Sequence, residues 1–198
     1  MRLLLDRLRA EGHTVLENAE PGGTRIGVEV RRILLDGRNR ELSPVAELLL
    51  YFACRAQNID ERIRPALARG EIVVSDRFTD STLAYQGAGR GLGEDVVMQL
   101  HRVACRGIEP ALTILIDIDL DDSIARARSR NAETKSNETR LDDEALDFHK
   151  RVRDTYMRLA GAEPHRIAVI DGRRPIEAIA EDVWVVVQGR LAEARHVR

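Results

Sequence analysis

Ile72-Val73-Val74-Ser75 is a continuous apolar run bounded by Gly70 and Asp76. It is too short for a helix and lacks the in-out alternation of a half-exposed strand, so it predicts a strand covered on both faces. Runs of the same kind occur at Leu112–Asp117 and Ile167–Ile170, with a shorter one at Thr14–Leu16. Helical patterns separate them. One spans residues 1–11, with Leu4, Leu5 and Leu8 on one stripe and Gly12 as its stop. Others fit Ile26–Leu35, Glu94–Cys105, residues 121–130, residues 141–160 and Pro175–Leu191. Ser43-Pro44 reads as an N-cap followed by a proline in the first turn, opening a long helix towards Arg69 with a kink near Pro65. This alternation predicts an α/β fold, a parallel sheet flanked by helices on both faces, in a single domain over residues 1–198.

Composition narrows the function classes. Hydrophobic residues make up 43% and charged residues 32%, which suits a globular core and argues against general disorder. The net charge of −2 provides no overall field for nucleic acid or a membrane surface. No segment reaches the ~20 apolar residues of a membrane-spanning helix, and the charged stretch Met1–Gly12 has no signal-peptide apolar block. Cys54 and Cys105 lie far apart in sequence and outside any CxxC, so the expectation is a reducing cytoplasm without a disulfide scaffold or a thiolate zinc site. Only Lys135 and Lys150 are lysines; every other basic residue is arginine.

Open parallel sheets bind ligands at the carboxyl ends of their strands. Those ends carry Glu20–Thr24 (EPGGT), Asp76–Gly91 (DRFTDSTLAYQGAGRG), Asp117 with Asp119, and Asp171-Gly172-Arg173-Arg174-Pro175. Arg31, Arg55, Arg77, Arg126, Arg128, Arg130 and Arg140 belong to the same regions. Guanidinium forks bind phosphate oxygens bidentately and keep their charge when desolvated, so the pattern points to a ligand with more than one phosphate.

These stretches, in order, resemble the thymidylate kinase family of nucleoside-monophosphate kinases. The resemblance rests on EPGGTRIGVEVRRILLD, AELLLYFACRAQ, SDRFTDSTLAYQGAGRGL, TRLDDEALDFHKRVRDTY and VIDGRRP, which together span nearly the whole chain. It implies phosphorylation of dTMP by ATP with Mg²⁺ and a homodimer, on a phosphate-loop kinase architecture. Arg31 and Arg77 match the arginines that hold the dTMP phosphate. Tyr51 stands where the family usually stacks a phenylalanine on thymine, and Arg55, on the same helix face, matches the arginine that reaches the base. Thr82 corresponds to the residue on the base edge, and Tyr85 and Gln86 to the pair beside the sugar. Glu20 and Ser81 complete the dTMP set. Asp76 matches the carboxylate near metal and phosphates; no residue is assigned as a dedicated metal ligand. The segment 126–141 resembles the lid that closes over ATP and excludes water. In it Arg130 and Arg140 are expected at the transferring phosphate, with Asp76 and Arg77 as the other catalytic residues. Arg126, Arg130, Arg173 and Arg174 are the expected ATP contacts.

The departure is at the amino terminus. Family members start with a central strand and a loop Gly-x-x-x-x-Gly-Lys-Ser/Thr, whose amides and lysine cradle the ATP phosphates. These 198 residues contain no such motif, and residues 1–12 match the helix that follows it. The expectation is therefore a dTMP kinase in an amino-terminally shortened form lacking the usual first strand. The alternative is a catalytically dead dTMP-binding module with a complete acceptor site.

Overall fold

The computed structural model describes residues 1–134 and 137–196, apart from the side chains of residues 127, 128, 130–134, 195 and 196. The elements run α1 (Arg2–Ala10), β1 (Val15–Asn18), α2 (Arg25–Leu35), α3 (Pro44–Asn58), α4 (Arg64–Ala68), β2 (Ile72–Ser75), α5 (Thr79–Thr82), α6 (Glu94–Cys105), β3 (Thr113–Asp117), α7 (Leu120–Thr134), α8 (Leu146–Ala162), β4 (Ile167–Asp171) and α9 (Ile176–His196). Two π-helical turns are interposed, Ile59–Ile63 between α3 and α4 and Leu83–Gly89 after α5.

Local chemistry accounts for the boundaries that position the site. Thr24 caps α2 by accepting from the Gly27 amide at 2.9 Å, and Ser43 caps α3 by accepting from Ala46 at 3.3 Å, with Pro44 in the first turn. The expected kink takes the form of the π-helical turn just before Pro65, whose ring would clash with the carbonyl four residues back. Two boundaries differ from the sequence reading. Residues 141–144 form turns, so α8 begins at Leu146, and the segment after β2 is helical from Thr79 to Gly89.

All strands are parallel, in two pairs. β1 lies on β2 in the register Val15↔Ile72 to Asn18↔Ser75, and β3 lies on β4 from Thr113↔Ile167 to Asp117↔Asp171. The α/β class with parallel strands flanked by helices holds, and among the described residues no ladder joins the two pairs. Nor is β2 covered on both faces. Its four residues are all half-buried, and Ile116 and Val169 in the second pair are 50% and 43% exposed. An apolar run reads as fully covered only when a neighbouring strand and both helical layers close over it. One core nonetheless draws both pairs together. Leu48 and Phe52 of α3, Val97 and Cys105 of α6 and Leu159 of α8 pack with Ile167, and Val73 and Leu115 of the two pairs lie against them. A smaller cluster of Ala84, Phe148 and Val152 seats the second π-helical turn on α8.

Candidate active site

A cavity of about 660 Å³ opens at the carboxyl ends of β1 and β2. The chain supplies its walls from the loop after β1, from α2 and α3, from the segment after β2 and from residues 138–142. Glu20, Arg31, Tyr51, Arg55, Asp76, Arg77, Ser81, Thr82, Tyr85 and Gln86 all line it, together with Pro21, Leu35, Glu138, Leu141 and Asp142. Every residue of the expected dTMP set is therefore in one place.

The loop after β1 is held on all sides. The Glu20 amide donates to Asp76 Oδ1 at 2.8 Å, the Gly22 amide to Cys54 Sγ at 3.1 Å, and Asn58 Nδ2 to the Ala19 carbonyl at 3.3 Å. Gly23 has φ +80°, and a side chain there would overlap those of Asn58 and Asn18, so glycine is required twice over. Anchored this way, the loop turns Glu20 inward to the fully buried guanidinium of Arg55.

Arg55 and Glu20 are 1% and 2% exposed. Arg55 Nε donates to Glu20 Oε2 at 2.7 Å and Nη1 donates to Thr82 Oγ1 at 3.0 Å. Its guanidinium carbon lies 5.0 Å from the ring centres of both Phe52 and Phe78. Burial pushes the Glu20 carboxyl above its ordinary range, although the Arg55 charge and hydrogen bond pull the other way. Glu20 Oε1 is buried with no hydrogen-bond partner among the described residues. Arg55 is thus a spoke between the loop and Thr82, with one side on the cavity.

Arg77 projects from the end of β2 into open space, stacked on Tyr85 with its guanidinium carbon 4.9 Å from the ring centre. Arg31 faces the cavity from α2. Its Nη1 donates to the Pro21 carbonyl at 2.9 Å, while Nε and Nη2 donate to the two Glu138 carboxylate oxygens at 2.8 and 2.6 Å. That pairing holds the guanidinium above its ordinary range. Burial raises the Tyr51 phenol well above its ordinary value, so it presents a neutral ring. Tyr156 of α8, for which the sequence suggested no role, donates to Ser81 Oγ at 2.7 Å, and burial pushes its phenol up to about 12.

A second unanticipated group stands behind Gln86. Glu47 of α3 is 0% exposed and accepts from Gln86 Nε2 at 2.6 Å, with Arg90 Nη2 at 3.1 Å and Arg140 Nη1 at 2.7 Å on its other oxygen. Arg90 also reaches Glu144 at 2.6 Å. Arg140, expected at the transferring phosphate, is not among the residues that line the cavity; here it ties the segment after α7 to α3. Glu47 escapes sequence reading because an acid in the first turn of a helix is adequately explained by the helix dipole.

The expected ATP arginines belong to the other strand pair. Arg173 makes a two-pronged contact with Asp171, at 2.8 and 3.0 Å, which lowers the Asp171 carboxyl to about 2. Arg174 pairs with Asp182, and Arg126 Nη1 lies 3.5 Å from the Gly172 carbonyl. None of the three lines the cavity. The Arg130 side chain, expected at the transferring phosphate, lies outside the described residues, as does that of Arg128. Asp76, an exposed carboxylate beside Arg77, is of the hard-oxygen type that Mg²⁺ accepts together with phosphate oxygens and water.

Comparison with known proteins gives one answer. The thymidylate kinase family profile matches residues 1–183. The thymidylate kinase of Pelobacter propionicus is 47% identical over 197 residues, covering 98% of this chain and 90% of its own length. That of Geobacter sulfurreducens is 49% identical over 185 residues, covering 93% and 87%. Among solved structures, the thymidylate kinase of Ehrlichia chaffeensis superposes with a TM-score of 0.73 at 30% identity, covering 93% of this chain and 88% of that one. With near half identity sustained across almost every residue, and the acceptor-site residues gathered in one cavity, this chain belongs to the thymidylate kinase family.

Proposed function

We propose that the cavity binds dTMP and presents its phosphate for in-line transfer from ATP, yielding dTDP. The observation that carries this reading is convergence: the residues that the resemblance assigned to dTMP come from four separate stretches of chain and line one cavity. Arg77 and Arg31 supply guanidinium forks for a phosphate dianion, each more effective inside a partly closed cavity than in water. Tyr51 offers a neutral ring to a pyrimidine face. Thr82, fixed by Arg55, presents its hydroxyl to the base edge, and Tyr85 with Gln86 crowds the space beside the sugar. Positioning and charge neutralisation supply most of the acceleration in such transfers, so no strong nucleophile is needed from the chain.

The donor half is less complete. The 198 residues include no glycine-rich phosphate loop, and among the described residues the two strand pairs share no ladder. We infer that this form binds dTMP, and that turnover needs a strand and loop of the kind the resemblance places ahead of α1. A dTMP-binding module without catalysis is the second reading, favoured by the same two observations. Mg²⁺ would sit by Asp76 and neutralise phosphate charge. The family resemblance further supports a homodimer working in the cytoplasm.

The test is ADP production by the 198-residue chain with ATP, Mg²⁺ and dTMP, beside a no-dTMP blank and a form carrying an amino-terminal strand and phosphate loop. Calorimetric titration with dTMP, dCMP and thymidine runs in parallel. Kinase function requires turnover by the loop-bearing form and preferential binding of dTMP. A folded loop-bearing form without turnover leaves the binding module. Equal affinity for dCMP and dTMP overturns the substrate assignment.

A further inference from the structure

The guanidinium assigned to the acceptor phosphate already holds an anion. Both Glu138 oxygens meet Arg31, at 2.8 and 2.6 Å, in the side-on geometry that a phosphate would use. The pair is not a chance encounter of two long surface side chains, because the backbone around Glu138 is fixed. The Asn137 carbonyl accepts from the Gly37 amide at 2.9 Å, and the Arg140 amide donates to the Leu35 carbonyl at 3.3 Å. Arg140 then runs to the buried carboxylate of Glu47. Segment 137–140 is therefore clasped to the carboxyl end of α2, one turn beyond Arg31. Both side chains line the cavity and remain partly exposed, at 33% for Arg31 and 39% for Glu138, so an incoming anion can reach the contact.

We propose that Glu138 is a specificity-determining internal competitor, a carboxylate that occupies Arg31 until a phosphate held by an anchored nucleotide displaces it. The inference rests on the reading of Arg31 as the acceptor-phosphate arginine. Its consequence is selective. A ligand with a phosphate must break the Arg31–Glu138 pair, whereas a nucleoside leaves it intact. Small anions, which have no base or sugar contacts to hold them nearby, are kept off Arg31. The clasp also means that displacement is a rotation of the Glu138 side chain and does not require the segment to lift away.

Titration calorimetry of dTMP, thymidine and inorganic phosphate tests this on the native chain, Glu138→Gln, Glu138→Asp, Arg31→Met and the Arg31→Met/Glu138→Gln double variant. Circular dichroism checks that each is folded. Expected is roughly fivefold tighter dTMP binding by Glu138→Gln, the size of one part-exposed ion pair, with thymidine unchanged and inorganic phosphate tightened. Glu138→Asp, too short to reach both nitrogens, should tighten dTMP in the same direction and decides the matter if the glutamine variant misfolds. Against an Arg31→Met background the Glu138 effect should vanish. If the glutamine and aspartate variants bind dTMP no tighter while Arg31→Met weakens it, the competitor is refuted and the phosphate assignment stands. If Arg31→Met leaves dTMP binding unchanged, the assignment of Arg31 falls and the competitor with it.

Discussion

Arg55→Met removes the cation from a pair in which both partners are almost completely buried. Stranding one buried charge in this way costs about 3–5 kcal/mol, because the remaining ion keeps its desolvation penalty without its partner. The stranded group is Glu20, whose carboxyl burial already holds above its ordinary value of 4.5 in spite of Arg55. Without Arg55 the attraction and the hydrogen bond that lowered it are gone, so it takes up a proton at still higher pH. A carboxyl raised in the folded state contributes stability below its ordinary value and loses it as pH rises through the folded value. The deficit of the variant should therefore be largest well above the ordinary carboxyl range, near pH ~8, and shrink as pH falls towards it, at pH ~5, because the raised Glu20 carboxyl takes up its proton on the way down. At the higher pH, about 3–5 kcal/mol corresponds to a melting temperature roughly 6–20 °C lower for a chain of this size. At the lower pH about 1 kcal/mol should persist, from the lost hydrogen bond to Thr82. Thermal unfolding followed by circular dichroism at both pH values measures this, each against the native chain. The Glu20→Gln/Arg55→Met double variant should recover most of the loss at the higher pH. An equal deficit at both pH values, or a double variant no better than the single one, would refute the idea that a stranded buried carboxylate sets the cost.

Glu47→Gln removes the carboxylate shared by Gln86, Arg90 and Arg140; unfolding curves should show a loss of about 3 kcal/mol, and calorimetry weaker dTMP binding through the released Gln86. Tyr156→Phe deletes only the hydrogen bond to Ser81, so about 1 kcal/mol of stability should be lost while the fold, judged by its far-ultraviolet spectrum, is kept. Gly23→Ala combines an unfavourable positive φ with overlap on Asn58 and Asn18, and should cost at least ~2 kcal/mol in chemical denaturation together with loss of dTMP binding.

What could be read from the sequence divides along a physical line. Caps, turns and short apolar runs are local, and Ser43-Pro44 and Ile72–Ser75 fall where the chain says they should. The residues expected at dTMP, whose roles the resemblance supplied, share one cavity because strand ends in an α/β fold converge. The helical form of residues 79–89 was not legible, since a stretch with two glycines and three threonines or serines has poor helix propensity. It is helical because it packs on α8, so closely that a side chain at Gly89 would strike the Phe148 ring. The contact between Arg140 and Glu47 was not legible either. Their pairing links positions far apart in the chain, and a long-range ion pair leaves no mark on the pattern around either partner.

The division of the strands explains why one half of the site is finished and the other is not. The acceptor cavity takes its walls from the loop after β1, from α2 and α3, from the helical segment after β2 and from residues 138–142, all tied together by Glu20–Arg55, Glu47–Arg140 and Asn137–Gly37. None of those ties passes through β3 or β4. Arg126, Arg173 and Arg174 sit instead at the carboxyl end of the second pair, occupied by Asp171, Asp182 and a backbone carbonyl. The shared apolar core joins the two pairs but fixes no hydrogen-bonded register between them. A cavity that closes on its own contacts keeps its shape whatever lies between the pairs. A donor site that drew on residues of both pairs would need their spacing fixed.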